Sequence, residues 1–150
     1  MTRNGSDNEY LLDNQQAEAG ERFAALSALF DPSTFRHFET VGVGAGWRCW
    51  EVGAGGPTVP AWLAERVGPA GYVVATDIDT SWMREAAGYE VLRHDVAAQA
   101  PPEGGPFDLI HARLVLVHLA DRDQALRPWS RRCAPAVGWW WRTVTRRCCR

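Results

Sequence analysis

The 150-residue sequence contains no lysine: all sixteen basic residues are arginine. That bias points to a gene rich in G and C rather than to a basic function, because eighteen acidic residues leave a net charge of −2. Such a balance lacks the basic excess of a nucleic-acid-binding or membrane-surface protein, so no nucleic acid and no membrane is expected as a partner. No apolar run approaches the ~18–20 residues of a membrane-spanning helix. Met1 to Tyr10 lacks the apolar stretch of a signal peptide. The four cysteines then read as free thiols in a reducing, cytoplasmic compartment.

Acidic residues are also missing from one region. None follows Asp123, whereas seven arginines, four of the eight tryptophans and three of the four cysteines do. Elsewhere the composition is that of an ordinary soluble domain, with 46% hydrophobic and 23% charged residues, and the length allows one hydrophobic core. Three parts are therefore expected: a loose polar segment over 1–15, a folded domain over 16–126, and an aberrant Arg/Trp/Cys-rich tail over 127–150.

Within the domain, Phe23, Leu26, Leu29 and Phe30 recur at helical spacing and predict a helix with one buried face. Asp31-Pro32 reads as the N-cap and first residue of a second helix, with Phe35, Phe38 and Val41 as its stripe and Gly42 as its end. A short strand follows at Cys49–Val52, then the turn Gly53-Ala54-Gly55-Gly56 and a helix over 58–67. Tyr72–Thr76 is a continuous apolar strand of the kind covered on both faces. A short helix from Ser81 to Ala87, a third strand over 90–93, a fourth over 107–112 and a helix beginning in Leu114–Leu119 complete the series. Alternating strands and helices predict an α/β fold, a Rossmann-like doubly wound parallel sheet, incomplete at its C-terminal end. Right-handed crossovers then bring every strand's carboxyl end to one edge, where ligands bind.

Glu51–Gly55, Asp77, Asp95 and Ala112 all fall at those ends. Gly53 and Gly55 permit a tight turn and close approach of backbone to a ligand. Asp77, ending the second strand, suits the two hydroxyls of a ribose, and Asp95 an adenine edge. A dinucleotide site would place a third small residue where Thr58 stands, with Pro57 and Pro60 nearby, and would put a pyrophosphate against the charge of Glu51. The same charge favours a cofactor that carries a sulfonium and an ammonium group, which points to S-adenosyl-L-methionine. An NAD(P)- or nucleotide-binding Rossmann module, or a non-catalytic remnant, are the alternatives.

Glu51-Val52-Gly53-Ala54-Gly55-Gly56 resembles the first motif of class I S-adenosylmethionine-dependent methyltransferases. Val74–Asp79 resembles their second-strand acid, Arg93–Val96 their adenine-side motif, Phe107–Arg113 their fourth strand, and Leu116–Asp121 the segment beyond it. The resemblance covers roughly residues 10–126, with motifs in family order. It implies that Glu51, Gly53 and Gly55 line the methionine side, that Asp77 holds the ribose, that Asp95 and Val96 frame the adenine, and that Ala54 and Ile78 are also among the cofactor-binding residues. Ala112 and Arg113 would lie near the methionine moiety. The implied activity is methyl transfer to a small-molecule acceptor, with alignment of the nucleophile as the protein's main task. No catalytic residue is assigned: His111 and His118 are near enough to act as a base, but structural roles are commoner. One departure is Pro57, where the family usually has a third glycine, which implies a weaker or altered cofactor fit.

The tail has its own explanation. Tryptophan has a single codon, so Trp139-Trp140-Trp141 defines a run of bases that, read from each codon's third position, encodes Leu, Val or Met and then Val-Val. With G or C in third positions the shifted tail reads close to Ala-Leu-Arg-Pro-Gly-Gly-Gly-Leu-Val-Val-Glu-Asp, the turn and fifth strand such a domain requires. A frameshift near Leu126 or Arg127 accounts for this. It leaves the fourth strand with an open edge, against which Trp139–Trp141 would be a makeshift neighbour. A membrane anchor, a nucleic-acid contact and a zinc site at Cys133, Cys148 and Cys149 are the weaker readings of the tail.

Overall fold

The computed structural model describes residues 19–83, 88–132, 136–140 and 143–147. Its first element, α1, runs unbroken from Ala19 to Val41 with Pro32 inside it. The expected division into two helices at Asp31-Pro32 is therefore incorrect. A proline in a helix interior removes one backbone hydrogen bond, yet tertiary contacts hold the helix together on both sides of it. Asp31 does not cap; its Oδ1 accepts a hydrogen bond from Arg113 Nη1 at 2.8 Å. The apolar stripe also divides at this point. Phe38 is wholly buried and Phe35 packs on the core, whereas Phe23, Leu26 and Phe30 are only half-buried and Leu29 is 68% exposed.

The parallel sheet comprises β1 (Arg48–Val52), β2 (Tyr72–Asp77), β3 (Glu90–Arg93) and β4 (Leu109–Arg113), in the order β3-β2-β1-β4. Helix α2 (Thr58–Val67) connects β1 to β2; of the face its spacing predicts, Val59, Trp62, Leu63 and Val67, all but the half-buried Trp62 are fully buried. Trp62 stacks on Phe35 of α1, ring centroids 5.0 Å apart. The fourth strand begins two residues later than expected, because Asp108 turns its Oδ2 to accept the Arg48 backbone N–H at 2.8 Å. Of the helix expected over 81–87, residues 84–87 lie outside the described residues, and 81–83 are not helical. The loose segment expected over 1–15 lies outside them as well.

Side chains alternate across the sheet and build a core on each face. Cys49, Val73, Ala75 and Leu109 pack beneath α1 and α2. Trp50, Val52, Val74, Ile110 and Ala112 pack on the other face with Trp129 of α3 (Arg122–Arg132). Trp50 and Trp129 meet at 5.4 Å, so α3 is anchored in the core even though it crosses the change of composition at residue 127.

Beyond α3 the backbone forms β5 (Ala136–Trp140) and β6 (Thr143–Arg147), and β6 pairs antiparallel with β4 throughout Leu109–Arg113. The expected open edge on the fourth strand is thus corrected: β6 covers it. The expected neighbour is corrected too, since Trp139 and Trp140 belong to β5, one strand further out. A hairpin supplies two antiparallel strands without a crossover, which a short tail can form where a parallel fifth strand cannot. Trp141 and Cys133, Cys148 and Cys149 lie outside the described residues.

Candidate functional site

The site forms where β1, β2 and β4 end. Past Val52 the chain turns through Gly53 and Gly55, both at positive φ (+61° and +64°), a region costly for residues with a Cβ. Both glycines are also close against neighbours. A Cβ on Gly53 would lie 2.2 Å from Val115 Cγ2, and one on Gly55 would lie 2.9 Å from the Phe23 ring. The turn is held from β2: Ala54 N–H donates to the Thr76 carbonyl at 3.0 Å, and Gly55 N–H donates to Asp77 Oδ2 at 2.8 Å. Asp77 Oδ1 accepts from Asp79 N–H at 3.1 Å. Burial pushes the Asp77 carboxyl above the usual carboxylate range, while the backbone N–H groups of Asp79, Gly55 and Ile78 act in the opposite direction. Each carboxylate oxygen still has a second lone pair for a ligand hydroxyl.

Two adjoining cavities open around this turn and share Gly53, Asp77 and Val115. One, about 420 Å³, is bounded by Asp77, Ile78, Asp95 and Val96. Asp95 there is folded onto its own loop, its Oδ1 accepting Ala97 N–H at 2.8 Å. The other, about 320 Å³, is bounded by Glu51, Ala54, Gly55 and Arg113, with Phe23 and Leu26 of α1 across from them. Both lie in the range of small-molecule sites, ~300–1,000 Å³. Nine of the ten residues singled out from sequence therefore meet along one edge: Glu51, Gly53, Ala54, Gly55, Asp77, Ile78, Asp95, Val96 and Arg113. Ala112 lines neither cavity and is packed in the core at 2% exposure.

Two of these residues have partners on which the sequence is silent. Arg113 does not present an unpaired guanidinium: Nη1 donates to Asp31 at 2.8 Å and to Thr34 Oγ1 at 3.1 Å. Glu51 is not an isolated acid either. His111, its register partner on β4, places Nδ1 2.6 Å from Glu51 Oε2, with both side chains almost wholly buried. This pair needed the β1–β4 register, which no local pattern carries. Phe23 and Leu26 were visible as part of a helical stripe, but nothing in the stripe located them over the glycine turn. His118 also borders the smaller cavity, from a 3₁₀ turn over Leu116–His118 that replaces the helix start expected at Leu114. Leu114 itself adopts φ +61°, a conformation rare for a side chain of its size. No group of three or more potential metal-ligating side chains occurs among the described residues, and no described helix is long and apolar enough to cross a membrane.

Residues 50–137 match the model of a family described as a methyltransferase domain. The chain belongs to that family. Its parallel sheet with flanking helices is the Rossmann-like α/β architecture of class I S-adenosylmethionine-dependent methyltransferases. Among solved structures, a SAM-dependent methyltransferase from Aquifex aeolicus superposes with a TM-score of 0.58 at 20% identity. The match covers 75% of this chain and 65% of that one, so the chain spans slightly under two thirds of that protein's length. The MycE methyltransferase of the mycinamycin biosynthetic pathway, solved with Mg, SAH and mycinamycin VI, gives a TM-score of 0.46 at 13% identity, covering 87% of this chain and 53% of that one. No curated protein matches the chain. The family match ends at residue 137, so it takes in the whole of α3 within the methyltransferase domain.

Proposed function

We propose that this methyltransferase domain binds S-adenosyl-L-methionine across the two joined cavities and directs its methyl group to a small-molecule acceptor. The adenosine would occupy the larger cavity, with Asp77 accepting the ribose hydroxyls and Asp95, Ile78 and Val96 framing the base. The methionine end would lie over Gly53, Ala54 and Gly55 beside Glu51. The observation that carries this reading is the continuity of the two cavities through Gly53 and Asp77, with a carboxylate in each part and the glycine turn's backbone between them. A pyrophosphate would meet the charges of Glu51 and Asp77, and the first turn of α2 offers it fewer donors than usual because Pro60 has no N–H.

The bound cofactor would supply the electrophilic methyl on its sulfonium. The chain's own residues would hold that group in line with an acceptor entering past Phe23, Leu26 and Val117, an apolar approach that also excludes water. Calorimetric titration with S-adenosylhomocysteine against NAD tests the reading. Saturable binding of the first alone is expected; binding of NAD, or of neither compound, refutes it.

A further inference from the structure

The Glu51–His111 pair is out of place in a sheet interior. The middle of a parallel sheet covered on both faces is ordinarily apolar, and the neighbours of His111 in β4 are Leu109, Ile110 and Ala112. His111 is 0% exposed, and the Phe38 ring of α1 packs edge-on against it at 4.8 Å. A buried polar pair of this kind stabilises a fold less than well-packed apolar residues would. His111 Nε2 is moreover buried with no hydrogen-bond partner. A carboxylate only accepts, so Nδ1 donates to Glu51. A neutral ring then leaves Nε2 as a bare lone pair, whereas an imidazolium would bury a second N–H with no acceptor. Among the described residues, His37 of α1 interacts electrostatically with this ring, its own protonation disfavoured first by burial and then by His111, and the buried Cys49 thiol interacts with Glu51.

The arrangement at Glu51 gives the pair a purpose. Oε2 is taken by His111, while Oε1 carries no hydrogen bond among the described residues and is not sealed off as Nε2 is. Glu51 borders the smaller cavity beside the glycine turn. We infer that His111 is a positioning residue: by donating Nδ1–H to Oε2 it locks the Glu51 carboxylate so that Oε1 is available to the ammonium group of the ligand's amino-acid end. The inference rests on the cofactor placement proposed above and adds to it a specific residue, on a different strand, that sets recognition of one end of the ligand. The adenosine end, in the other cavity, does not depend on it.

The experiment compares two ligands that share the adenosine and differ in the amino-acid tail, S-adenosylhomocysteine and 5′-methylthioadenosine. Each is titrated calorimetrically into the wild-type chain and into His111→Leu, His111→Asn and Glu51→Gln. Loss of a charge-assisted hydrogen bond in His111→Leu is expected to weaken S-adenosylhomocysteine about tenfold and to leave methylthioadenosine within about twofold. The retained methylthioadenosine binding also reports that the variant is folded. His111→Asn, whose amide nitrogen lies near the position of Nδ1, is expected to recover most of the lost affinity. Adding His111→Leu to Glu51→Gln is expected to cost nothing further, because both changes remove one interaction. Equal weakening of both ligands, no weakening of either, or failure of the asparagine variant to recover binding overturns the inference. When the wild type binds both ligands and His111→Leu does the same, only the positioning role is lost. When the wild type binds neither, the proposed function is lost with it.

Discussion

Gly53→Ala is the substitution for which the structure gives the sharpest expectation. At φ +61° an alanine pays the left-handed penalty, about 1–2 kcal/mol. Its Cβ would also lie 2.2 Å from Cγ2 of Val115, a residue 5% exposed in the core beneath the turn, and displacing a packed side chain costs about 1–3 kcal/mol. The sum is about 2–5 kcal/mol, a large share of the ~5–15 kcal/mol that holds most domains together. Gly56→Ala is the control, since a Cβ there meets nothing within 4 Å and the glycine has no positive φ. The assay is urea unfolding followed by circular dichroism for both variants, for Val115→Ala, and for Gly53→Ala combined with Val115→Ala. Removing Cγ2 is expected to return the packing share, so the double variant is more stable than additivity allows by about 1–3 kcal/mol. The reasoning fails if Gly53→Ala unfolds at the same urea concentration as Gly56→Ala, or if the two changes add.

Other outcomes follow from the same geometry. Arg113→Gln breaks a largely buried ion pair that ties α1 to β4, and is expected to cost about 1–3 kcal/mol in the same unfolding assay; combining it with Asp31→Asn adds little if the pair is the cause. Burial raises the Asp77 carboxyl above its ordinary value of 3.8, so the native state holds this proton more tightly than the unfolded chain does. Its contribution to stability is therefore present at low pH and declines as pH rises from 3.8 through the raised folded value, and Asp77→Asn is expected to flatten that part of the stability–pH curve. Resequencing the gene around Leu126 and Arg127 is expected to reveal a shifted frame, and a chain with the frame restored is expected to unfold more cooperatively than this one. An uninterrupted reading of the present codons counts against it.

Local patterns were enough for the elements whose environment is simple. Helix α2 has the bounds expected of it and packs the face of Val59, Trp62, Leu63 and Val67 on the core, because both its ends are punctuated by glycine and proline and its stripe meets the sheet. The parallel strands are legible for a related reason: each is short, holds adjacent apolar residues and is followed by a turn, and their carboxyl ends share one edge whenever the crossovers are right-handed. Helix α1 departs from the two helices its sequence predicts because Asp31-Pro32 is a good helix start in isolation. In the fold, Arg113, 82 positions away in sequence, claims the Asp31 carboxylate and lets the helix run on. The tail's composition predicts an exposed strand edge and gives no hint that β6 reaches β4 in reverse.

The glycine bend, the acids at the ends of β1 and β2, and the alternation of strand and helix are properties of the chain's order, and they are sufficient to identify the family and to bring these residues to one edge of the sheet. Which acid faces a partner and which retains a free oxygen is a property of register and docking. Glu51 meets His111 only because β1 and β4 lie side by side at that pairing, and Phe23 comes to rest over Gly55 only because α1 continues past its proline. Those contacts join residues distant in sequence, and their energy exists only once the sheet has closed around them.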